Sequence, residues 1–194
     1  LLDSLGVKFV KADVSDINSI ADSFKGVELV FHLAAMNRAQ RSIDNPIMAN
    51  ATNVNGTLNC LKSALDNHVK RFVFVSSSSV YKGVVGATLK EDMHLEPPHP
   101  YGVGKLAGEH YCRIFNELYG IETVVLRFFS VYGPRQRGDI EYAGVIAKFM
   151  EAAINNKELT IYGDGQQTRN FSYVLDVVNG TLLASKRASN GKVI

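Results

Sequence analysis

The chain has 194 residues, of which 46% are hydrophobic and 21% charged, proportions of a folded globular protein that exclude disordered, collagen-like and small disulfide-built classes. Its 21 basic and 19 acidic side chains leave a formal charge of +2, so no basic surplus points to nucleic acid, and an anionic ligand must be held by local groups. Apolar runs such as Phe72 to Val75 stop far short of the roughly 18 residues a membrane helix requires, and Cys60 and Cys112 are too few for a disulfide framework and lack zinc-site spacing, so no membrane span or metal site is expected and the cytoplasm is the expected compartment.

In chain order, Leu1 to Gly6 carry no basic-then-apolar pattern of a signal peptide. Val7 to Val10 read as a strand, Asp16 to Phe24 as a short helix, Glu28 to Leu33 as a strand and Pro46 to Asn67 as a long helix. Arg71 to Ser76 follow as a strand, Tyr101 to Tyr119 as a second long helix and Glu122 to Phe128 as a further strand. These strands are almost continuously apolar, as in Phe72-Val73-Phe74-Val75, which is expected when helices cover both faces of a parallel sheet. An α/β, doubly wound parallel sheet is predicted.

After Phe129 a Gly/Pro/Arg loop at Gly133 to Gly138 leads to a helix near Tyr142 to Asn155. A strand at Leu159 to Tyr162, an extended stretch at Thr168 to Tyr173, a helix at Leu175 to Lys186 and the start of a strand at Val193-Ile194 complete the chain. Parallel sheets bind ligands beyond the carboxyl ends of their strands. The segments to inspect are therefore Asp13-Val14, Ala34-Ala35, Ser76 to Ser79 and Phe129 to Arg135.

The most informative segment is Pro100-Tyr101-Gly102-Val103-Gly104-Lys105, which opens a helix. Four residues apart, Tyr101 and Lys105 share a helical face. An ammonium near the phenol, with the positive end of the helix, would favour phenolate and make Tyr101 a base. Alone, such a pair is usually just a surface contact, but Ser76 to Ser79 end a strand at the same sheet edge and can add a hydroxyl. Gly102 and Gly104 suggest a close approach to the backbone of that first turn. His32 reads as a packed imidazole, His110 as solvated, and Ala107, Tyr111, Phe115 and Leu118 as a core stripe.

Six segments in order, Phe31 to Ala35, Asn53 to Thr57, Val75 to Tyr81, Tyr101 to Lys105, Leu126 to Gln136 and Ile161 to Val178, resemble successive signatures of the extended short-chain dehydrogenase/reductases, and within them the nucleotide-sugar epimerase/dehydratase group. The resemblance covers essentially the whole chain. It implies a Rossmann-type NAD-binding domain over residues 1–130 and a partial region for a nucleotide-diphosphate sugar over 131–194, interleaved with the last Rossmann elements. It further implies Ser77, Tyr101 and Lys105 as the catalytic set. Asp13, Val14, Leu33, Ala34, Ala35, Asn53, Tyr101 and Lys105 would be cofactor residues, and Ser77, Ser78, Ser130, Arg135 and Arg169 substrate residues. Arginine suits a diphosphate because its planar fork meets oxygens in pairs. The implied chemistry is transient oxidation of a sugar hydroxyl to a keto-sugar, with hydride passing to NAD and returning to the opposite face. A homodimer is the implied assembly.

Ser78 and Ser79 stand where dehydratases of the group carry Asp-Glu and where its decarboxylases carry Glu at the second position. Hydroxyls cannot supply that additional acid and base, so epimerisation, at C4 of a UDP-hexose, is preferred to dehydration or decarboxylation. A reductase and a non-catalytic member are the further alternatives. Ser130 replaces a common Asn, Lys82 a Gly, Gly104 a Ser and Asn170 an Asp, and Leu175 occupies a place usually polar. No Gly-x-x-Gly-x-x-Gly occurs near the start, and that turn is what holds a pyrophosphate on backbone amides. The expectation is therefore a Rossmann-type sheet truncated at both ends, with roughly 30 residues of a first βαβ unit in front and no cofactor binding by the fragment itself.

Overall fold

The computed structural model describes residues 3–82, 88–141, 143–187 and 190–194. Asp16 opens α1 (Ile17–Ile20) by accepting a hydrogen bond from the Asn18 amide, and a 3-10 turn (Ala21–Phe24) continues it. After β1 (Leu29–His32) come α2 (Ala39–Asp44), α3 (Pro46–Asn50), a π turn (Ala51–Asn55) and α4 (Gly56–Asp66). β2 (Arg71–Ser77) runs into a 3-10 turn (Ser78–Val80), followed by α5 (Pro100–Tyr119) and β3 (Glu122–Phe128). The remaining elements are β4 (Val131–Tyr132), α6 (Val145–Ile154), β5 (Ser172–Tyr173), α7 (Val174–Arg187) and β6 (Lys192–Val193).

The main sheet has the order β1-β2-β3-β6, every pair parallel. β2 and β3 are in register from Arg71 opposite Glu122 to Ser77 opposite Phe128, so both end level at one sheet edge. β4 and β5 form a separate parallel pair. Alternate residues of the strands face opposite layers. Phe72, Phe74 and Val125 pack with Leu61 and Ala64 of α4 and Cys112 and Phe115 of α5. Val73, Val124 and Leu126 pack on the other side with Ala184 of α7. Helices on both faces account for the near-continuous apolar runs of β2 and β3, whereas β1 leaves Leu29 and Phe31 exposed. Phe72 and Phe74 are fully buried, each contributing about 1.5–3 kcal/mol relative to exposure.

Several expectations change. Val7 to Val10 form no strand: Phe9 is 68% exposed, and no described strand runs beside the segment to complete a ladder. Leu159 to Tyr162 stay unpaired and exposed for the same reason, and of Thr168 to Tyr173 only Ser172–Tyr173 pair. The helix expected from Tyr142 begins at Val145, while Tyr142 itself lies outside the described residues. The single helix expected over Pro46 to Asn67 is interrupted by the π turn, and α2 was not anticipated. Leu118 is 71% exposed rather than core, whereas Phe115 is buried. No helix among the described residues is long and apolar enough to cross a membrane.

α5 lies so close to β2 that a Cβ at Gly108 would sit 2.4 Å from Cζ of Phe74. Gly108→Ala should therefore destabilise the fold by about 1–3 kcal/mol through overpacking, read as a lowered midpoint in urea titration.

Candidate active site

The first turn of α5 is held by other elements. His99, in extended conformation, caps it by accepting the Gly102 amide at Nδ1 (3.1 Å), and Pro100 at the first helical position has no amide to satisfy. The Tyr101 amide donates to Oγ of the fully buried Ser42 in α2 (3.0 Å). Gly102 and Gly104 answer to protein rather than ligand: added Cβ atoms would meet the Ser79 carbonyl at 2.3 Å and Asn53 Cβ at 2.8 Å. The helix ends at Gly120, whose φ of 74° suits glycine.

This anchoring brings Tyr101 and Lys105 to the carboxyl end of β2, where Ser77 lies near enough to the Tyr101 phenol to favour its ionised form. Ser77 Oγ also accepts the Ser79 amide (3.1 Å), which shapes the turn. The Lys105 ammonium donates to the Val75 carbonyl (2.7 Å) and lies 5.0 Å from the Phe74 ring centroid and 5.9 Å from that of Tyr101. With Lys105 only 3% exposed, burial brings its pKa down to about 8.

The electrostatic expectation for Tyr101 is overturned. Burial pushes its phenol above the ordinary tyrosine value, and the opposing influences are the nearby Ser77 hydroxyl and the charge of Arg38, not Lys105. Desolvation wins because the lysine ammonium is committed to a backbone carbonyl rather than to the phenol.

His32 is the packed imidazole expected. It is buried, bonds Thr57 Oγ1 through Nε2 (3.0 Å) and stacks on Phe74 at 5.8 Å between ring centroids. Since Thr57 gives its own proton to the Asn53 carbonyl (2.8 Å), His32 must be the donor and carries its proton on Nε2. Burial, with the charge of Lys105 behind it, lowers the His32 pKa to about 3.

Asn53 is buried with both ends of its amide on Met36, accepting from the amide (2.7 Å) and donating to the carbonyl (3.1 Å). It thus fixes the loop after β1, on which Leu33 and Ala34 are exposed and Ala35 half-buried. Asp13 is exposed and accepts the Ser15 amide and hydroxyl at Oδ1 (2.9 and 2.8 Å), bonds that hold its carboxyl below the usual range. Val14 packs against Gly56, and Asn59 Nδ2 donates to the Val14 and Ser15 carbonyls (3.0 and 3.1 Å). Asn59 was missed by sequence reasoning, since only the fold brings α4 beneath this turn.

Ser78 is half-buried, its carbonyl accepting the Tyr81 amide. Ser130 and Arg135 flank β4 at positive φ (34° and 69°), both exposed. Arg169 is exposed and bonds the neighbouring Thr168 carbonyl. The β4–β5 pairing brings the Ser130 and Phe171 ends of these segments side by side, but joins neither arginine to Tyr101. A cleft of about 390 Å³ beside α5 is lined by Pro46, Asn50, Pro97, His99, Val103 and Gly104. A second, of about 500 Å³, lies between β3 and α7 and includes Phe129, Ser172 and Arg187, with none of Ser77, Tyr101 or Lys105 in its wall.

A parallel doubly wound sheet of Rossmann type brings Tyr101, Lys105 and Ser77 to one strand end. The chain matches the NAD dependent epimerase/dehydratase family over residues 2–194 and belongs to it; NAD is the cofactor of that family. It is 38% identical over 188 residues to a UDP-glucose 4-epimerase of Mycolicibacterium smegmatis, covering 95% of this chain and 59% of the relative. It is 34% identical over 193 residues to a UDP-N-acetyl-alpha-D-glucosaminuronate decarboxylase of Bacillus cytotoxicus, covering 97% and 59%. Among solved structures it resembles the UDP-N-acetylglucosamine 4-epimerase of Methanobrevibacter ruminantium in complex with UDP-N-acetylmuramic acid, with a TM-score of 0.92, 36% identity and coverage of 97% of this chain and 60% of that one. The chain therefore spans about three-fifths of the length of the proteins it matches.

The lowered His32 pKa has a measurable consequence. A histidine that protonates near pH ~6.5 unfolded and about 3 folded contributes stability that is complete above the unfolded value and lost as pH falls below it. Between pH ~6.5 and ~5 the loss should be about 1.5–2 kcal/mol in urea titrations. His32→Gln, which keeps a donor for Thr57, should flatten most of that slope; His99, whose pKa burial also lowers, accounts for the remainder.

Proposed function

We propose that the protein acts in an NAD-dependent epimerase that inverts C4 of a UDP-hexose or its N-acetyl form through a transient keto-sugar. The observation that carries this reading is the convergence of Ser77 and Tyr101 at the carboxyl end of β2, one helical turn from the buried Lys105 that donates to the Val75 carbonyl. That pairing suits removal of a hydroxyl proton from a substrate alcohol. Its relatives with named activities act on nucleotide sugars, and Ser78 and Ser79 leave no carboxylate beside Ser77 for eliminating water or assisting decarboxylation.

The residues fit the family's cofactor on a structural ground: Lys105 has the Val75 carbonyl as its protein acceptor, so two of its three N–H donors are left for ribose hydroxyls. Asp13, Val14, Leu33, Ala34 and Ala35 would line the adenosine side, with Asn53 bracing the loop. NAD, when bound, supplies the acceptor and donor of hydride. The chain's part is proton chemistry and orientation. Ser77 holds the substrate hydroxyl, Tyr101 as phenolate takes its proton and returns it, and Arg38 supplies positive charge that favours the buried phenolate. Ser78, Ser130, Arg135 and Arg169 are assigned to the sugar and diphosphate, and inversion follows when the keto-sugar turns over before the proton comes back. A homodimer in the cytoplasm completes the reading, in keeping with two buried free cysteines.

In the intact enzyme with UDP-glucose, Tyr101→Phe should lower kcat by about 10³–10⁴ and Ser77→Ala by about 10²–10³, with no net change in nicotinamide absorbance during wild-type turnover. A product lighter by one water would assign a dehydratase instead, and accumulating reduced or oxidised cofactor a dehydrogenase or reductase.

A further inference from the structure

α5 meets the end of β2 along one helical face. Lys105, Gly108 and Glu109 touch in turn the Val75 carbonyl, Phe74 and Ser76, and Tyr101, a turn earlier, comes beside Ser77 at the strand end. Glu109 is itself the centre of a buried network. Its Oε1 accepts from the Ser76 hydroxyl and from Arg127 Nε (3.0 Å), and its Oε2 accepts from Arg127 Nη2 (2.7 Å). Arg127, opposite Ser76 in the β2–β3 register, reaches on through Nη1 to the Tyr81 hydroxyl (2.6 Å) and the Glu91 carbonyl (3.1 Å), and Tyr81 donates to the Lys90 carbonyl (3.0 Å). Glu109 is 6% and Arg127 8% exposed.

Ser77 thus lies between two residues held by the same ion pair: Ser76 by Glu109, and Tyr81 by Arg127. The turn that joins them, Ser78–Val80, is pressed against the first turn of α5 where the Ser79 carbonyl meets Gly102. We propose that Glu109 and Arg127 are positioning residues that set the Ser77 hydroxyl against the Tyr101 phenol by fixing the chain on both sides of Ser77. A buried ion pair is a poor source of net stability, since apolar side chains of similar volume serve as well. What apolar side chains cannot provide is a fork of directed bonds to Ser76, Tyr81 and the 90–91 backbone at once. The inference rests on Ser77 and Tyr101 as the reacting pair, and requires neither substrate nor cofactor to be tested.

The test is a titration of Tyr101 by fluorine NMR in the unliganded chain, with fluorotyrosine incorporated so that the more acidic phenol titrates while the protein is folded, and Tyr101→Phe assigning the signal. The Ser77 hydroxyl holds the phenol down against burial, so Ser77→Ala should raise the midpoint and set the scale. Glu109→Leu combined with Arg127→Met should melt within about 5 °C of wild type and raise the midpoint by at least half the Ser77→Ala shift. A wild-type midpoint in that double variant, beside a raised one in Ser77→Ala, overturns the proposal. Should the double variant not fold, Ser76→Ala and Tyr81→Phe, each deleting one hydroxyl, are judged by the same criterion. An unmoved midpoint in Ser77→Ala removes the Ser77–Tyr101 contact itself, and the proposal falls with it.

Discussion

The closeness of α5 to the last residues of β2 is the constraint on which the site depends. Glycine at 102, 104 and 108 lets the helix backbone approach the Ser79 carbonyl, Asn53 and Phe74 to distances no side chain would permit. At that separation a lysine can reach a strand carbonyl, and a phenol and a serine hydroxyl can meet. Ordinary helix-on-sheet spacing would leave the same residues out of reach of one another.

Closeness also dictates the electrostatics. Lys105, His32 and Tyr101 all lie where water is scarce, and each is displaced toward its neutral form. At neutral pH Lys105, at about 8, still carries its charge while His32 and Tyr101 are neutral, so the phenol must lose its proton before it can take one from a substrate, and a neighbouring ion then counts for most. The paired Glu109 and Arg127 are the contrasting case, two buried side chains of opposite charge that satisfy each other.

Much of this was legible in the residues. Continuous apolar runs identified β1, β2 and β3 and the burial of both faces of β2 and β3, though Leu29 and Phe31 of β1 stay exposed, and the helix read over Tyr101 to Tyr119 matches α5 but for Pro100. Strand-end and helix-start positions placed Ser76 to Ser79 at the same sheet edge as Tyr101 and Lys105, and the family resemblance singled out Ser77 among them. What failed depended on partners. Val7 to Val10 and Leu159 to Tyr162 have strand-like composition, but a ladder needs a neighbour and none of the described strands serves. The direction of the Tyr101 shift turned on where one ammonium points, which spacing along a helix does not determine. Glu109 carries the same four-residue spacing from Lys105 that Lys105 has from Tyr101, a signal available in the sequence, yet its meaning required the β2–β3 register that sets Arg127 beside Ser76. Arg169, suited by type to a diphosphate, contacts only its neighbour's backbone among the described residues.

The π turn at Ala51–Asn55 leaves the segment intolerant of any change in length. Asn53 within it grips Met36, and Thr57 just beyond it receives His32, so the two face different parts of the same wall. Each residue of an α-helix advances the side chain by about 100°. Removing one position to restore regular winding would turn one of these grips away from its target, as would adding one. Insertions and deletions among relatives should therefore skip this stretch and collect in the loops around it, whatever sugar those relatives take.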